Sequence, residues 1–259
     1  MAHNVDHTGQ ANPLTIAIDV GGSHLKAAVL DASGKPSTAP LRVKTPKPAT
    51  PDAVVAALSS LSQRLGKFDR VSIGFPGVVH GDFVLTAPNL GTKEWHGFGL
   101  GAVMAKHLGK PVRMLNDASI QGLGVITGRG LECVLTLGTG MGVALFRDGE
   151  IAPHLELSQH PIRKHKTYDE YVGNVALEAV GRRRWNKRVH KIISILETVI
   201  IYDMLYIGGG NAGLIEPPLP AKVKIVSNIA GITGGVRLWD VRMDHAFDEK
   251  LHGFAESLV

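Results

Sequence analysis

The sequence predicts an α/β protein of two lobes, on three observations. An apolar strand, a glycine turn and a second strand occupy residues 14–30, and the same plan restarts at residues 134–146. Stretches with apolar residues at helical spacing alternate with short apolar runs, as layered sheets and helices require. Glycine-rich turns follow strands at three places: Asp19-Val20-Gly21-Gly22-Ser23, Leu137-Gly138-Thr139-Gly140-Met141-Gly142 and Ile207-Gly208-Gly209-Gly210-Asn211. The restart reads as a diverged structural duplication.

Residues 1–13 read as a frayed N-terminus. Strands are expected at 14–18, 24–30 and, after the turn Asp31-Ala32-Ser33-Gly34-Lys35-Pro36, at 41–44. Pro51-Asp52 opens a helix carrying Ala53, Val54, Ala57, Leu58, Leu61 and Leu65 on one face, closed by Gly66. A strand at 71–75 ends at Pro76-Gly77. Residues 78–97 read as hairpins and loops, and 98–108 as a helix. A strand at 112–115 delivers Asn116-Asp117 at its carboxyl end, and a helix runs from 118 to about 126.

The second half holds strands at 134–137 and 143–146, a helix over 168–180 and a longer amphipathic helix over 185–201. Strands follow at 203–207 and 222–226, then a glycine-containing stretch at 230–235 ahead of a C-terminal helix. No low-complexity linker separates the halves. The boundary falls within 117–130, giving a first lobe of 14–118 and a second of 119–259, with the last helix a candidate to pack back on the first.

The chain has 259 residues, 44% of them hydrophobic, enough for real cores and against disorder. No apolar run approaches the roughly 18 residues that span a bilayer, and the first residues lack a basic-then-apolar leader. A cytoplasmic protein with no membrane partner is expected. Cys133 is the sole cysteine, so an internal disulfide and a multi-cysteine metal site are excluded, and its apolar setting marks a buried strand thiol. The formal charge is +5, concentrated in Arg163-Lys164-His165-Lys166 and in Arg182, Arg183, Arg184, Lys187, Arg188, His190 and Lys191. Such density attracts nucleic acid, nucleotide or polyphosphate; the plainer reading is a solvated helix face.

Glycine turns let main-chain N–H groups approach phosphate oxygens without an obstructing Cβ. In the first turn, Gly21 and Gly22 would do this, with Ser23 and Lys26 adding side-chain donors and Asp19 placed to hold Mg²⁺ or its water shell. In the second, Gly138, Thr139 and Gly140 supply the same kind of array. Neither turn fits a Walker A loop or the G-x-G-x-x-G dinucleotide spacing, which sets an oxidoreductase aside. Asp117, after a strand and before a helix, can accept a proton from a hydroxyl attacking phosphorus. Alone it would read as a helix N-cap.

Together these motifs, in this order from about residue 14 to 240, resemble the ROK sugar kinases of the hexokinase and actin-like ATPase superfamily, whose two-lobed ribonuclease H-like fold has a cleft between the lobes. The resemblance implies phosphoryl transfer to the 6-hydroxyl of glucose or a related hexose, with Asp117 as general base. It implies sugar contacts from Asn89, Asn116, Asp117, Glu156 and His160, an adenosine-side motif at Gly208, Gly209, Gly210 and Asn211, Mg²⁺ as cofactor, and a homodimer.

Two departures stand out. The histidine that the family places three residues after Glu156 is Gln159 here, with His160 next to it. The family's cysteine-rich zinc motif is absent, so no zinc is expected. That absence, with the basic segment behind Glu156, resembles the polyphosphate-using glucokinases. Arg182, Arg183, Arg184, Lys187 and Arg188 would then form a polyphosphate track, with ATP as a possible second donor. ROK repressors carry an N-terminal helix-turn-helix for which the first strand leaves no room, so no nucleic-acid partner is expected. A non-catalytic sugar sensor remains the alternative.

Overall fold

The computed structural model describes residues 12–227 and 230–247. Two compact units form. One contains the described chain up to Ile120 together with residues 231–247, and the other spans Gln121–Ala230.

In the first unit, β1 (Thr15–Val20) and β2 (His24–Leu30) are joined by the Gly21-Gly22-Ser23 turn and pair antiparallel. The edge strand β3 (Leu41–Lys44) adds antiparallel to β2. Thr50 caps α1 (Pro51–Arg64), accepting from Ala53 N, and the helix buries Val54, Val55, Leu58 and Leu61. β4 (Arg70–Phe75), buried along its whole length, pairs parallel with β1; its Val71, Ile73 and Phe75 are buried apolar residues, while Arg70 and Ser72 are buried polar ones, with Arg70 Nε donating to Thr15 Oγ1 and Ser72 Oγ to Gly235 O.

Residues 78–97, expected as hairpins and loops, form a short hairpin, β5 (Val79–His80) and β6 (Phe83–Val84), and a one-turn helix, α2 (Thr92–Trp95). The next helix, α3 (Leu100–Leu108), starts two residues later than its sequence suggests, because Phe98 bridges to Val84. It ends at Gly109, whose φ of 62° suits the left-handed C-cap. β7 (Val112–Asn116) completes a sheet of order β3-β2-β1-β4-β7 and runs straight into α4 (Asp117–Leu123).

In the second unit, β8 (Leu131–Leu137) and β9 (Met141–Arg147) form the second hairpin, extended by β10 (Glu150–Ile151). A small hairpin of β11 (Pro161–Arg163) and β12 (Lys166–Thr167) leads into a capping box, in which Thr167 and Glu170 satisfy each other's backbone N–H. The expected helix over 168–180 is two helices, α5 (Tyr168–Val172) and α6 (Asn174–Val180). The break falls at Gly173, where a Cβ would lie 2.4 Å from Thr139 O.

Then α7 (Arg182–Val199) buries Trp185, Val189, Ile192, Ile193 and Leu196. β13 (Met204–Gly208) and β14 (Val223–Ile225) pair parallel, giving the order β10-β9-β8-β13-β14. The two sheets repeat one plan of two antiparallel pairs followed by two parallel ones, as the duplicated sequence pattern predicts.

The stretch 230–235, expected to precede a helix, is itself helical. It belongs to α8 (Ala230–Arg237), followed by a 3-10 segment at Val241–Phe247. A Cβ on Gly235 would lie 2.9 Å from Ala17 Cβ, so glycine lets α8 lie close on the first sheet, where Ser72 Oγ donates to Gly235 O at 2.6 Å. Sequence beyond 247 lies outside the described residues.

Candidate active site

Each unit carries one set of the expected site residues. In the first, Arg42, Lys26, Asp19 and Gly74 are successive cross-strand partners on β3, β2, β1 and β4, so their Cβ directions share one sheet face. Lys26 Nζ stands 3.0 Å from Asp19 Oδ2, both partly exposed. Asp117 Cα packs 3.5 Å from where a Cβ on Gly74 would be, which puts its backbone on the same face as Asp19.

Above this row the glycine turn is held from β3. Thr45 Oγ1 donates to Gly21 O at 2.6 Å and Thr45 N to Ser23 O at 3.1 Å, while Gly21 N is spent on His24 O. Gly22 N and Ser23 N, the remaining donors of the turn, make no hydrogen bond among the described residues. Gly22 also touches the Asn89 loop: a Cβ there would lie 3.1 Å from Asn89 Cβ. Asn89 is exposed beside the turn.

Asn116 is 7% exposed and turned into the chain. Its Nδ2 donates to Gly77 O at 3.0 Å and its Oδ1 accepts from Ala118 N, so it ties the Pro76-Gly77 turn to the end of β7. Asp117 is only partly buried, with Oδ1 accepting from Ala118 N at 2.7 Å.

In the second unit the Gly138 to Gly142 turn is braced from three sides. Asn174 N donates to Gly138 O, Asn211 N to Leu137 O, and Asn211 Nδ2 to both Asn174 Oδ1 (2.7 Å) and Gly138 O (3.3 Å). Gly209, at φ +89°, lies so close to Leu137 that a Cβ would meet its carbonyl at 2.3 Å. Gly138 N is consumed by Gly140 O, whereas Thr139 N and Gly140 N make no hydrogen bond among the described residues. The outcome repeats the first turn: carbonyls of the turn are satisfied and two consecutive N–H groups make no hydrogen bond among the described residues, an array of the kind that can receive an anion. Of the expected donors, Gly138 N is thus already bonded within the turn, and Asn211 braces the loop. Gly208 is buried against Gln121, and Gly210 is exposed.

Sequence reasoning missed Asp169. Its Oδ1 accepts from Met141 N at 2.6 Å and packs on Gly140, and its Oδ2 accepts from Gln159 Nε2 at 2.9 Å. Gln159 also reaches Ser158 Oγ, which donates to Glu156 Oε1. A string of hydrogen bonds therefore joins Glu156 to the phosphate-type turn, and His160, exposed, is not part of it. Burial opposes ionisation of Glu156, but hydrogen bonds from His154 and Ser158 more than offset it and hold its carboxyl below the usual range. Burial pushes the Asp169 carboxyl up; the Met141 N–H works against this and the Glu156 charge adds to it. The acid after a capping threonine was the visible signal, but its partner loop lies 28 residues away.

Of the expected basic track, Arg182 pairs with Glu216 at 3.1 Å and donates to Leu214 O, and Arg188 donates to Tyr171 O while stacking on its ring. Arg183, Arg184 and Lys187 are exposed, without a carboxylate partner among the described residues.

The same architecture recurs in solved structures of sugar kinases. Inorganic polyphosphate/ATP-glucomannokinase from Arthrobacter sp. strain KM is 29% identical, with a TM-score of 0.80 over 89% of this chain and 99% of that one. A ROK family glucokinase from Streptomyces griseus, solved with glucose and AMPPNP, shares the fold at a TM-score of 0.73 and 18% identity, over 87% and 98% of the two chains. The fold is therefore the actin-like ATPase fold of the ROK sugar kinases.

The family model described as ROK family matches residues 15–153, and the chain belongs to that family. Among its relatives, the polyphosphate glucokinase of Mycobacterium tuberculosis (strain CDC 1551 / Oshkosh) is 29% identical over 233 residues, 84% of this chain and 88% of that protein.

Proposed function

We propose that this protein is a glucokinase that moves a phosphoryl group from polyphosphate or ATP to the 6-hydroxyl of glucose, with Asp117 as the general base. The observation that carries the reading is the shared face of the first sheet, which carries Asp19, Lys26 and the Asp117 backbone, together with the β1–β2 turn, whose Gly22 and Ser23 N–H groups make no hydrogen bond among the described residues. The names of the relatives support the substrate and both donors.

In this mechanism Asp117 takes the proton of O6 as that oxygen bonds to the terminal phosphorus. The bridging P–O bond breaks, and ADP or the shortened polyphosphate leaves with the electron pair. Lys26 and the N–H groups of Gly22 and Ser23 neutralise charge on the phosphates. Asn89 orients the sugar hydroxyls, and Asn116 holds Asp117 in place.

Asp19 fits Mg²⁺ of the kind that keeps water and phosphate ligands: a partly exposed carboxylate with one oxygen on Lys26 and the other uncommitted in that pair. Such an ion would shield the donor phosphates. The family resemblance supports a cytoplasmic homodimer; no helix among the described residues is long and apolar enough to cross a membrane.

The test is glucose 6-phosphate formation by purified protein with ATP and with polyphosphate, beside Asp117→Asn. The amide keeps hydrogen bonding but cannot take the proton, so kcat should fall by about 10²–10⁴ while glucose binding, read by calorimetry, persists. Turnover within a few-fold of wild type would remove Asp117 from the role of base. No product from either donor with wild type would remove the kinase reading.

A further inference from the structure

The first sheet carries basic side chains beyond the Lys26 that the first glycine motif uses. On β2 and β3, His24 is the cross-strand partner of Lys44 and Lys26 that of Arg42, so all four side chains share one face. The cluster lies on the face that carries Asp19 and reaches the exposed sheet edge at Arg42 and Lys44. It is continuous with the first glycine turn, because Thr45, the residue after Lys44, holds Gly21 O and Ser23 O.

Asp19, bonded to Lys26, is the one carboxylate paired with this cluster among the described residues. Arg42 has no acidic partner there. Its guanidinium donates instead to His24 Nδ1 at 2.9 Å, which places the imidazole proton on Nε2. Desolvation first, and then the charges of Arg42, Lys26 and Lys44, hold His24 below the usual imidazole range. A fold that spends an arginine on a neutral histidine, with a lysine alongside, leaves the face short of negative charge.

We propose that the β2–β3 face binds the part of an inorganic polyphosphate chain that lies beyond the reacting phosphate, with Arg42 and Lys44 as its outer contacts. The inference rests on the kinase reading for its donor and adds a specificity-determining surface to it. Lys26 and the Gly22 and Ser23 N–H groups take the inner phosphates. The chain then crosses β2 to β3 and leaves over the sheet edge. A nucleotide has no phosphate to place there, so the face favours long polyphosphate over ATP.

The experiment uses the double variant Arg42→Thr/Lys44→Thr, which keeps strand propensity at two exposed positions, and the charge-keeping Arg42→Lys/Lys44→Arg. Kinetics are measured with ATP and with short and long polyphosphates, together with equilibrium binding of fluorescently labelled long-chain polyphosphate. Loss of charge should raise the long-chain KM and Kd by about fivefold or more and flatten their salt dependence, with ATP kcat/KM and glucose KM within about twofold of wild type. The charge-keeping pair should recover most of the loss. Equal losses with ATP and polyphosphate, or an unchanged long-chain Kd, would overturn the proposal. A wild type that turns over ATP but does not bind polyphosphate overturns it while leaving the kinase reading intact. If neither donor yields product, the kinase reading fails, and the binding arm alone still decides whether the face holds polyphosphate.

Discussion

Glu132 is fully buried on β8, and both its carboxylate oxygens are occupied. Thr127 N and Oγ1 and Tyr206 OH donate to Oε1; Gly128 N and Arg129 N donate to Oε2. Burial would raise its pKa, but these donors outweigh burial and hold the carboxyl below its ordinary 4.5. A depressed folded pKa means the contribution is complete above the unfolded value and is lost as pH falls through the folded one. Glu132→Gln should therefore cost about 2–3 kcal/mol in urea unfolding at pH 7, with the gap to wild type narrowing below about pH 4. A gap that stays constant with pH would show that the charge is not what the loop responds to. The places of Asp19 and Asp117 in the fold were legible in the sequence because each stands at the carboxyl end of an apolar run. Asp169 was not, because its meaning lies in Gly140 and Met141, which local spacing does not connect to it.

Helices show where periodicity reads well and where contact decides. The apolar positions of α7 were visible, and Trp185, Val189, Ile192, Ile193 and Leu196 are its buried face. The break at Gly173 and the helical course of α8 were not, because both glycines answer a neighbour: Thr139 O in one case and Ala17 in the other. At the end of α7 the sequence and the backbone disagree. Ile201 has φ 55° and is 74% exposed, so a β-branched residue sits in the left-handed region with no packing in return. Ile201→Asn, tolerant of that region, should stabilise by about 1 kcal/mol and raise Tm by about 2–4 °C. Calorimetry showing a lower Tm would mean that Ile201 is packed in the protein as it exists in solution.

At the scale of the molecule the duplication was legible because each strand-turn-strand run is local. The parallel pairings of β1 with β4 and β8 with β13 depend on segments about 50 to 70 residues apart, which short-range pattern does not specify. Charge was legible as clusters along the chain, but which of the cations are paired was not. A net +5 says little, whereas the folded helix α7 sorts its cations into those held by Glu216, Leu214 O and Tyr171 and those left in water. Arg183, Arg184 and Lys187 span about 100° of the helix at 3.6 residues per turn, opposite the Trp185 and Val189 side, while Lys191 stands over the Tyr171 ring. A compact anion meets few of these charges at once, but a long polyanion meets them all, and its attraction sums. Arg183→Glu/Arg184→Glu should therefore lower kcat/KM for long-chain polyphosphate by about tenfold or more at low salt, with the effect shrinking as ionic strength rises. The ATP value should move by less than about threefold. Equal losses with both donors would assign this face to folding or general steering, and the polyphosphate preference would then rest on the β2–β3 face alone.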